Sequence, residues 1–326
     1  MTTVPPSRDD WSAYWVGAEG GKAAVAGDEK AQTLSAFWID VFEQTIPALS
    51  SVRHLDMACG AGTVTATARD VVDRLKPGDA SFVCCDYSSS AVHRAVRTAD
   101  DKRISGVVSN AAAQTFAPQS FDVVTSQFGL EYAGPDAFRE AWRAVDSNGV
   151  LAALIHMSGG PIERECSENL RVLDRAHEQE FIPRMRKMIQ TARRADTDHR
   201  VAATVRKLET AFFEDRKVFL RDIQKTPPNP ASVLIFQLLT DIGTLYQRRQ
   251  NYQKSEADGW IEHQQAELGS YRSRMGSMVQ ASMTREQVQA IREACDGAQG
   301  GEDCIAKLHM HGDDEACAWQ LRLQRR

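Results

Sequence analysis

Three short stretches carry residues whose type and spacing could do chemistry. The first is Asp56-Met57-Ala58-Cys59-Gly60-Ala61-Gly62-Thr63. There an apolar run (Val52, Leu55, Met57) reaches a carboxylate, breaks into small residues and yields to a helical pattern from about Thr63. A strand, a tight glycine turn and a helix N-terminus in that order let backbone approach a nucleotide-like ligand closely. Gly60 and Gly62 are needed if the turn uses positive φ, or if a side chain would fill the ligand's space. The second stretch is Ser81-Phe82-Val83-Cys84-Cys85-Asp86, because a carboxylate ending a second parallel strand can accept both hydroxyls of a ribose. The third is His156, directly after Val150-Leu151-Ala152-Ala153-Leu154-Ile155. An imidazole at that strand end could act as a base near neutral pH, or simply satisfy a hydrogen bond there.

The elements that must position these residues alternate. A strand over 52–57 feeds a helix from about 63 to 75, stopped by Lys76-Pro77-Gly78. A strand over 81–86 precedes a helix over 88–98, and Gly106-Val107-Val108-Ser109 is a short third strand. Phe121-Asp122-Val123-Val124-Thr125-Ser126 is a fourth, followed by a helix over 135–145, and Asn148-Gly149 turns into a buried fifth strand over 150–155. Alternation of this kind implies a parallel, doubly wound sheet. Before it, Leu34, Phe37, Trp38, Val41 and Phe42 recur at helical spacing, and after Ser158-Gly159-Gly160-Pro161 the chain reads as long helices to about residue 277. Breaks are expected near 195–198 and 226–230, with the apolar helix after Pro230 at the centre of that part. Thr284 then caps a helix to about Ala294, and strands over 304–310 and 315–323 form a hairpin around His311-Gly312-Asp313-Asp314. The expected domains are a helical cap over 1–44, a sheet domain over 45–158 and 278–326, and a helical insertion over 159–277.

Bulk properties narrow the class. The 326 residues are 42% hydrophobic and 25% charged with a net charge of -5, ordinary values for a globular chain. No run of 18 or more apolar residues exists, and the first ten residues lack an apolar core, so neither a membrane span nor export is expected. The seven cysteines show no CxxC spacing, which favours a reduced, cytoplasmic setting. His309-x-His311 lacks a third ligand, so no metal site is expected. Within 159–277 basic residues are interleaved with acidic ones, so a solvated face is expected and nucleic acid is not favoured.

Taken together, these motifs resemble those of the class I S-adenosylmethionine-dependent methyltransferases. Asp56 to Thr63 is similar to the family's first motif, with Ala58 in place of the usual first glycine, a departure that costs little if φ stays negative there. Asp86 matches the acidic residue ending strand two. Asn110-Ala111 is similar to the pair after strand three, and Phe121-Asp122-Val123-Val124 and Gly149 match the fourth and fifth strands. The resemblance implies an α/β Rossmann-like fold: a doubly wound, seven-stranded, mostly parallel sheet closed by an antiparallel hairpin, with an all-helical inserted subdomain. It implies S-adenosyl-L-methionine as cofactor, with Asp86 on the ribose, Tyr87 against the adenine, and Asn110 and Ala111 at its edge. Gly60 and Gly62 would let the backbone approach the methionine portion, Asp56 would orient that turn or the ammonium, and Ala58 and Gln127 would complete the cofactor site. A nicotinamide enzyme would ordinarily show G-x-G-x-x-G, whereas Gly62 is followed by Thr63-Val64-Thr65.

Methyl transfer needs a general base only if the acceptor is protonated. The loop Ser126-Gln127-Phe128-Gly129-Leu130-Glu131-Tyr132 should lie beside the sulfonium and lacks the Asp/Asn-Pro-Pro-Tyr motif of amide and nucleobase amino methylation. Glu131 and His156 are therefore the two candidate bases, each with a purely structural alternative. The expected function is transfer to an oxygen or nitrogen of a small-molecule acceptor, with 159–277 selecting the substrate or forming a homodimer. Alternatives are a methyltransferase of a peptide, protein or RNA, and a non-catalytic S-adenosylmethionine-binding interaction module.

Overall fold

A computed structural model describes residues 28–49, 51–75, 79–299, 304–309 and 315–325. The first 27 residues of the expected cap, Lys76-Pro77-Gly78 and the hairpin turn 311–314 lie outside the described residues. The described strands are β1 (Val52–Met57), β2 (Ala80–Asp86), β3 (Ile104–Val108), β4 (Phe121–Gln127), β5 (Val145–His156), β6 (Ala298–Gln299), β7 (Ile305–His309) and β8 (Ala316–Arg325). They form one sheet in the order β3-β2-β1-β4-β5-β8, with β7 and the two-residue β6 both paired to β8. Pairings among β1 to β5 are parallel, and those of β8 are antiparallel. The seven-stranded sheet closed by a hairpin is thus present, with β6 as an addition.

Parallel strands place all their C-terminal ends on one edge. Met57, Asp86, Gln127 and His156 end β1, β2, β4 and β5 there, and the strand order reverses between β1 and β4. An open α/β sheet binds ligands at that reversal, where the diverging connections leave a crevice.

Both faces of the sheet are covered by helices. Helix α1 (Asp28–Thr45), α2 (Thr63–Leu75) and α3 (Ser89–Ala99) bury Trp38, Phe42, Val64, Val71 and Ala95 against Val52, Phe82, Val123 and Leu154. Helix α4 (Pro135–Ala144) and the later α10 (Arg285–Glu293) bury Phe138, Trp142, Val288 and Ile291 against Leu55, Met57, Val124, Leu151 and Ile155. Each fully buried Leu, Ile or Phe side chain is worth roughly 1.5–3 kcal/mol, so these two layers hold the site edge rigid. Thr284 caps α10 through a capping box with Gln287, as its spacing predicts.

The chain divides into two compact units. Among the described residues, one comprises the sheet with Asp28–Arg164 and the residues from Ser277 onward. The other, Glu165–Gly276, contains most of α5 (Pro161–Glu178) and α9 (Lys254–Ala281), with α6 (Phe181–Ala195), α7 (Ala202–Ile223) and α8 (Pro230–Gln247) between them. It has its own apolar centre, where Met185, Met188, Phe212, Ile235, Leu239 and Ile242 are buried together.

Three expectations are corrected. β5 starts at Val145, because Val145 pairs with Phe121 before a register shift, so Asn148-Gly149 bends a strand already under way. The helical unit has breaks at Glu180, held at φ 51°, and around Arg248–Gln253, where neither Gly nor Pro marks the sequence. Helix α8 is central along the face of Ile235, Leu238, Leu239, Ile242, Leu245 and Tyr246; Val233, Leu234 and Phe236 on its other side are exposed.

Candidate functional site

The turn after β1 is built on left-handed backbone. Ala58, Gly60 and Gly62 have φ of 55°, 52° and 79°. The condition under which Ala58 would cost little, a negative φ, is therefore not met, and an alanine held there costs about 1–2 kcal/mol relative to glycine. Gly62 is required for a reason other than ligand space: a Cβ there would lie 2.9 Å from the Ala95 Cβ, so the glycine lets α3 pack on the turn.

Asp56 is wholly buried and turned toward the start of α2. Its Oδ2 accepts hydrogen bonds from the Thr65 N–H (3.2 Å) and Thr65 Oγ1 (2.9 Å), as a carboxylate at a helix N-terminus should. Thr125 Oγ1 lies 3.5 Å from its Oδ1 and 2.8 Å from Nε2 of the buried His54. Burial pushes the Asp56 carboxyl up to about 7 and the His54 imidazole down to about 3. Asp56 thus ties the end of β1 to the start of α2. Thr65, Thr125 and His54 support it and escape a reading of motifs. The histidine inside an otherwise apolar strand was the available signal.

Asp86 Oδ2 accepts the Gly60 N–H at 2.9 Å and Oδ1 the Ser88 N–H at 2.8 Å. Burial raises its carboxyl, opposed by these backbone donors. Each oxygen keeps acceptor capacity, since a carboxylate offers about four lone-pair sites. Tyr87 beside it is exposed, and Ser109 N–H bonds to the Asp86 carbonyl, which brings the β3 end alongside. Asn110 spends its side-chain oxygen on the Ala112 N–H (3.0 Å), and the half-buried Ala111 packs on the core. The Cys59 thiol, inside the turn, is held well above its ordinary range by a hydrogen bond with Cys84 and by burial.

Across the crevice, Gln127 Oε1 accepts the Trp38 indole N–H at 2.7 Å, which leaves the Gln127 amide N–H groups to face elsewhere. Phe128 is also left-handed, at φ 54°, and its ring stacks on His156 with centroids 4.4 Å apart; Tyr132 meets the same imidazole edge-on at 5.8 Å. Glu131 and His156, separate candidates in the sequence, form one buried pair. Glu131 Oε1 lies 2.8 Å from His156 Nδ1 and accepts the His156 backbone N–H at 3.1 Å. With Nδ1–H donated to a carboxylate, Nε2 is the nitrogen that carries the lone pair. Glu131 Oε2 is buried without a partner among the described residues.

These residues fit an adenosyl ligand. A buried carboxylate held by backbone N–H groups suits a diol, and a left-handed turn of small residues beside it presents backbone at the sheet's crevice.

Comparison with known proteins agrees with this construction. Residues 55–149 match a family described as "Methyltransferase domain". A ubiquinone/menaquinone biosynthesis C-methyltransferase, UbiE, from Dinoroseobacter shibae is 30% identical over 141 residues, covering 41% of this chain and 54% of that protein. The chain thus spans about half the length of the curated relative it matches. Among solved structures, a putative methyltransferase from Bacillus halodurans aligns at 19% identity and a TM-score of 0.31, covering 37% of this chain and 51% of that one. A Haemonchus contortus phosphoethanolamine N-methyltransferase aligns at 18% identity and 0.36, covering 46% and 32%. Residues 55–149 thus match a methyltransferase domain, and with its glycine turn, its acidic strand end and its mostly parallel sheet the chain is similar to the class I S-adenosylmethionine-dependent methyltransferases.

Proposed function

We propose that this protein is an enzyme that transfers a methyl group to an oxygen or nitrogen of a small-molecule acceptor, with His156 taking the acceptor's proton. The observation that carries this reading is the buried His156–Glu131 pair at the C-terminal sheet edge. When bound, S-adenosylmethionine supplies an electrophilic methyl on a sulfonium. Asp86 would hold the ribose hydroxyls, with Tyr87 against the adenine and Asn110 and Ala111 bordering it. The turn through Asp56, Ala58, Gly60 and Gly62 would hold the methionine portion together with Gln127. Glu131 fixes the imidazole's tautomer and plane, Phe128 covers one ring face, and Nε2 is left to accept a proton. Burial of the pair excludes water from the imidazole and strengthens its contact with Glu131. The insertion 159–277 would select the acceptor, and its exposed Val233, Leu234 and Phe236 would be covered by a second copy of the chain.

A second reading is favoured by the name of the 30% identical relative, a C-methyltransferase. The same base would then take a phenolic or enolic proton and raise electron density at the adjacent carbon. Carbon-13 spectra of the methylated product separate the two, because a methyl on carbon resonates far upfield of one on oxygen.

The test pairs two variants. Glu131→Gln should lower turnover by about 10²-fold or more, the scale of general-base catalysis, while calorimetric affinity for S-adenosylhomocysteine persists. Asp86→Ala should abolish most of that affinity and leave the folded state intact. Full turnover in Glu131→Gln removes the Glu131 carboxylate from the chemistry, and unchanged affinity in Asp86→Ala removes that carboxylate from the site.

A further inference from the structure

We infer that the methyl group of Ala58 is a positioning contact that keys the cofactor turn to the loop carrying Glu131. Its kinetic consequence rests on the proposed role of the His156–Glu131 pair; its structural consequence does not.

The observation is a misplaced side chain. Ala58 stands at φ 55°, where glycine is at ease and alanine is strained. Gly129 faces it from β4's side of the crevice at φ -141° and ψ -47°, outside the ordinary helical and extended regions. A Cβ on Gly129 would lie 2.3 Å from the Ala58 Cβ and 3.2 Å from Ser126 Oγ. Glycine is thus required at 129 by the Ala58 methyl. The chain carries its one methyl at the left-handed position and none at the facing one. The strain taken on at 58 comes with a contact that packs the cofactor turn on the Gly129 loop.

What it positions follows from the hydrogen bonds on either side. Toward the cofactor, Gly60 N–H bonds to Asp86 and Cys59 N–H to the Cys85 carbonyl. Toward the base, the Gly129 carbonyl accepts the Tyr132 N–H and opens the short helical turn Leu130–Ala133, which holds Glu131. Phe128 N–H is tied to the Leu154 carbonyl at 2.9 Å, so the loop pivots rather than translates when Gly129 is pushed. A displacement of Ala58 therefore reaches the Glu131 carboxyl through one steric contact and one turn of backbone.

The test is a reciprocal pair of substitutions: Gly129→Ala, Ala58→Gly, and both together. In each protein, free of cofactor, nitrogen-15 histidine labelling reads the His156 Nδ1–H proton that Glu131 shelters. Gly129→Ala should broaden or erase that signal and lower turnover about tenfold or more, the scale of coupled neighbouring sites. The double variant, whose new methyl occupies the vacated space, should restore the signal and most of the turnover. Ala58→Gly alone should raise the thermal midpoint and still broaden the signal, a combination that lost stability cannot produce. This single variant decides the matter if Gly129→Ala does not fold. A double variant no better than Gly129→Ala, or an Ala58→Gly signal as sharp as the parent's, overturns the inference. Restored signal in the double variant alongside a fully active Glu131→Gln protein would instead retain the positioning contact and remove the Glu131 carboxylate from the chemistry.

Discussion

Asp56 and His54 sit two residues apart on one face of β1 and share Thr125 as a neighbour, and their burial has opposite consequences for pH. Asp56 has its carboxyl raised from 3.8 to about 7, so the folded state holds a proton that the unfolded chain has released. That contribution is present at low pH and is lost as pH rises toward 7. His54 has its imidazole lowered from 6.5 to about 3, so the unfolded chain takes a proton the folded state refuses. That contribution is present above 6.5 and is lost on acidification. Between about pH 4 and 6.5 the two slopes oppose, each bounded by about 1.4 kcal/mol per pH unit. Asp56→Asn removes the first and leaves the second. Its urea midpoint should fall steeply as pH is lowered through this range, while that of the parent protein changes far less. Parallel midpoint curves would show that Asp56 is ionised throughout.

At the scale of elements, α1 and β4 meet through Trp38 and Gln127, 89 residues apart. The spacing of Leu34, Phe37, Trp38, Val41 and Phe42 suffices to predict a helix with one apolar face, and all but the half-buried Phe37 are buried. Nothing in that spacing says that the indole N–H reaches the Gln127 amide, because a hydrogen bond between distant segments has no period. Trp38→Phe keeps most of the packing and removes the donor. It should cost about 1 kcal/mol of stability, the net value of one such bond, and weaken S-adenosylhomocysteine several-fold in calorimetry if Gln127 flanks the methionine portion. Unchanged affinity would leave Trp38 with packing alone. Element ends were legible where chemistry marks them, as at Thr284, and illegible at Glu180, where a left-handed residue other than Gly or Asn breaks the helix.

For the whole molecule, the helical unit has an apolar centre made from its own residues. Replacing 165–276 by a short Gly/Ser linker should therefore leave a sheet domain that folds and binds S-adenosylhomocysteine within a few-fold of the full chain, since two-state units with separate cores unfold separately. Turnover should be lost, because the proposed acceptor-selecting part is gone. Light scattering on the same protein reads the second role: a full-length dimer that becomes a monomer on deletion supports α8 as its interface. Retained turnover would move acceptor selection to the sheet domain.

By itself, the order of residues determined the strand–helix alternation, the glycine turn, Asp86 at a strand end and the family these imply. Each depends on local backbone chemistry or on a repeat of two or of 3.6, which short windows contain. Only the tertiary structure decided that Glu131 and His156 are one pair rather than two rival bases, that Ala58 is left-handed, and that Gly129 is glycine because of a methyl 71 positions earlier. Those facts arise where β1, β4 and β5 are laid side by side, and contact between distant strands leaves no trace in the spacing of either one.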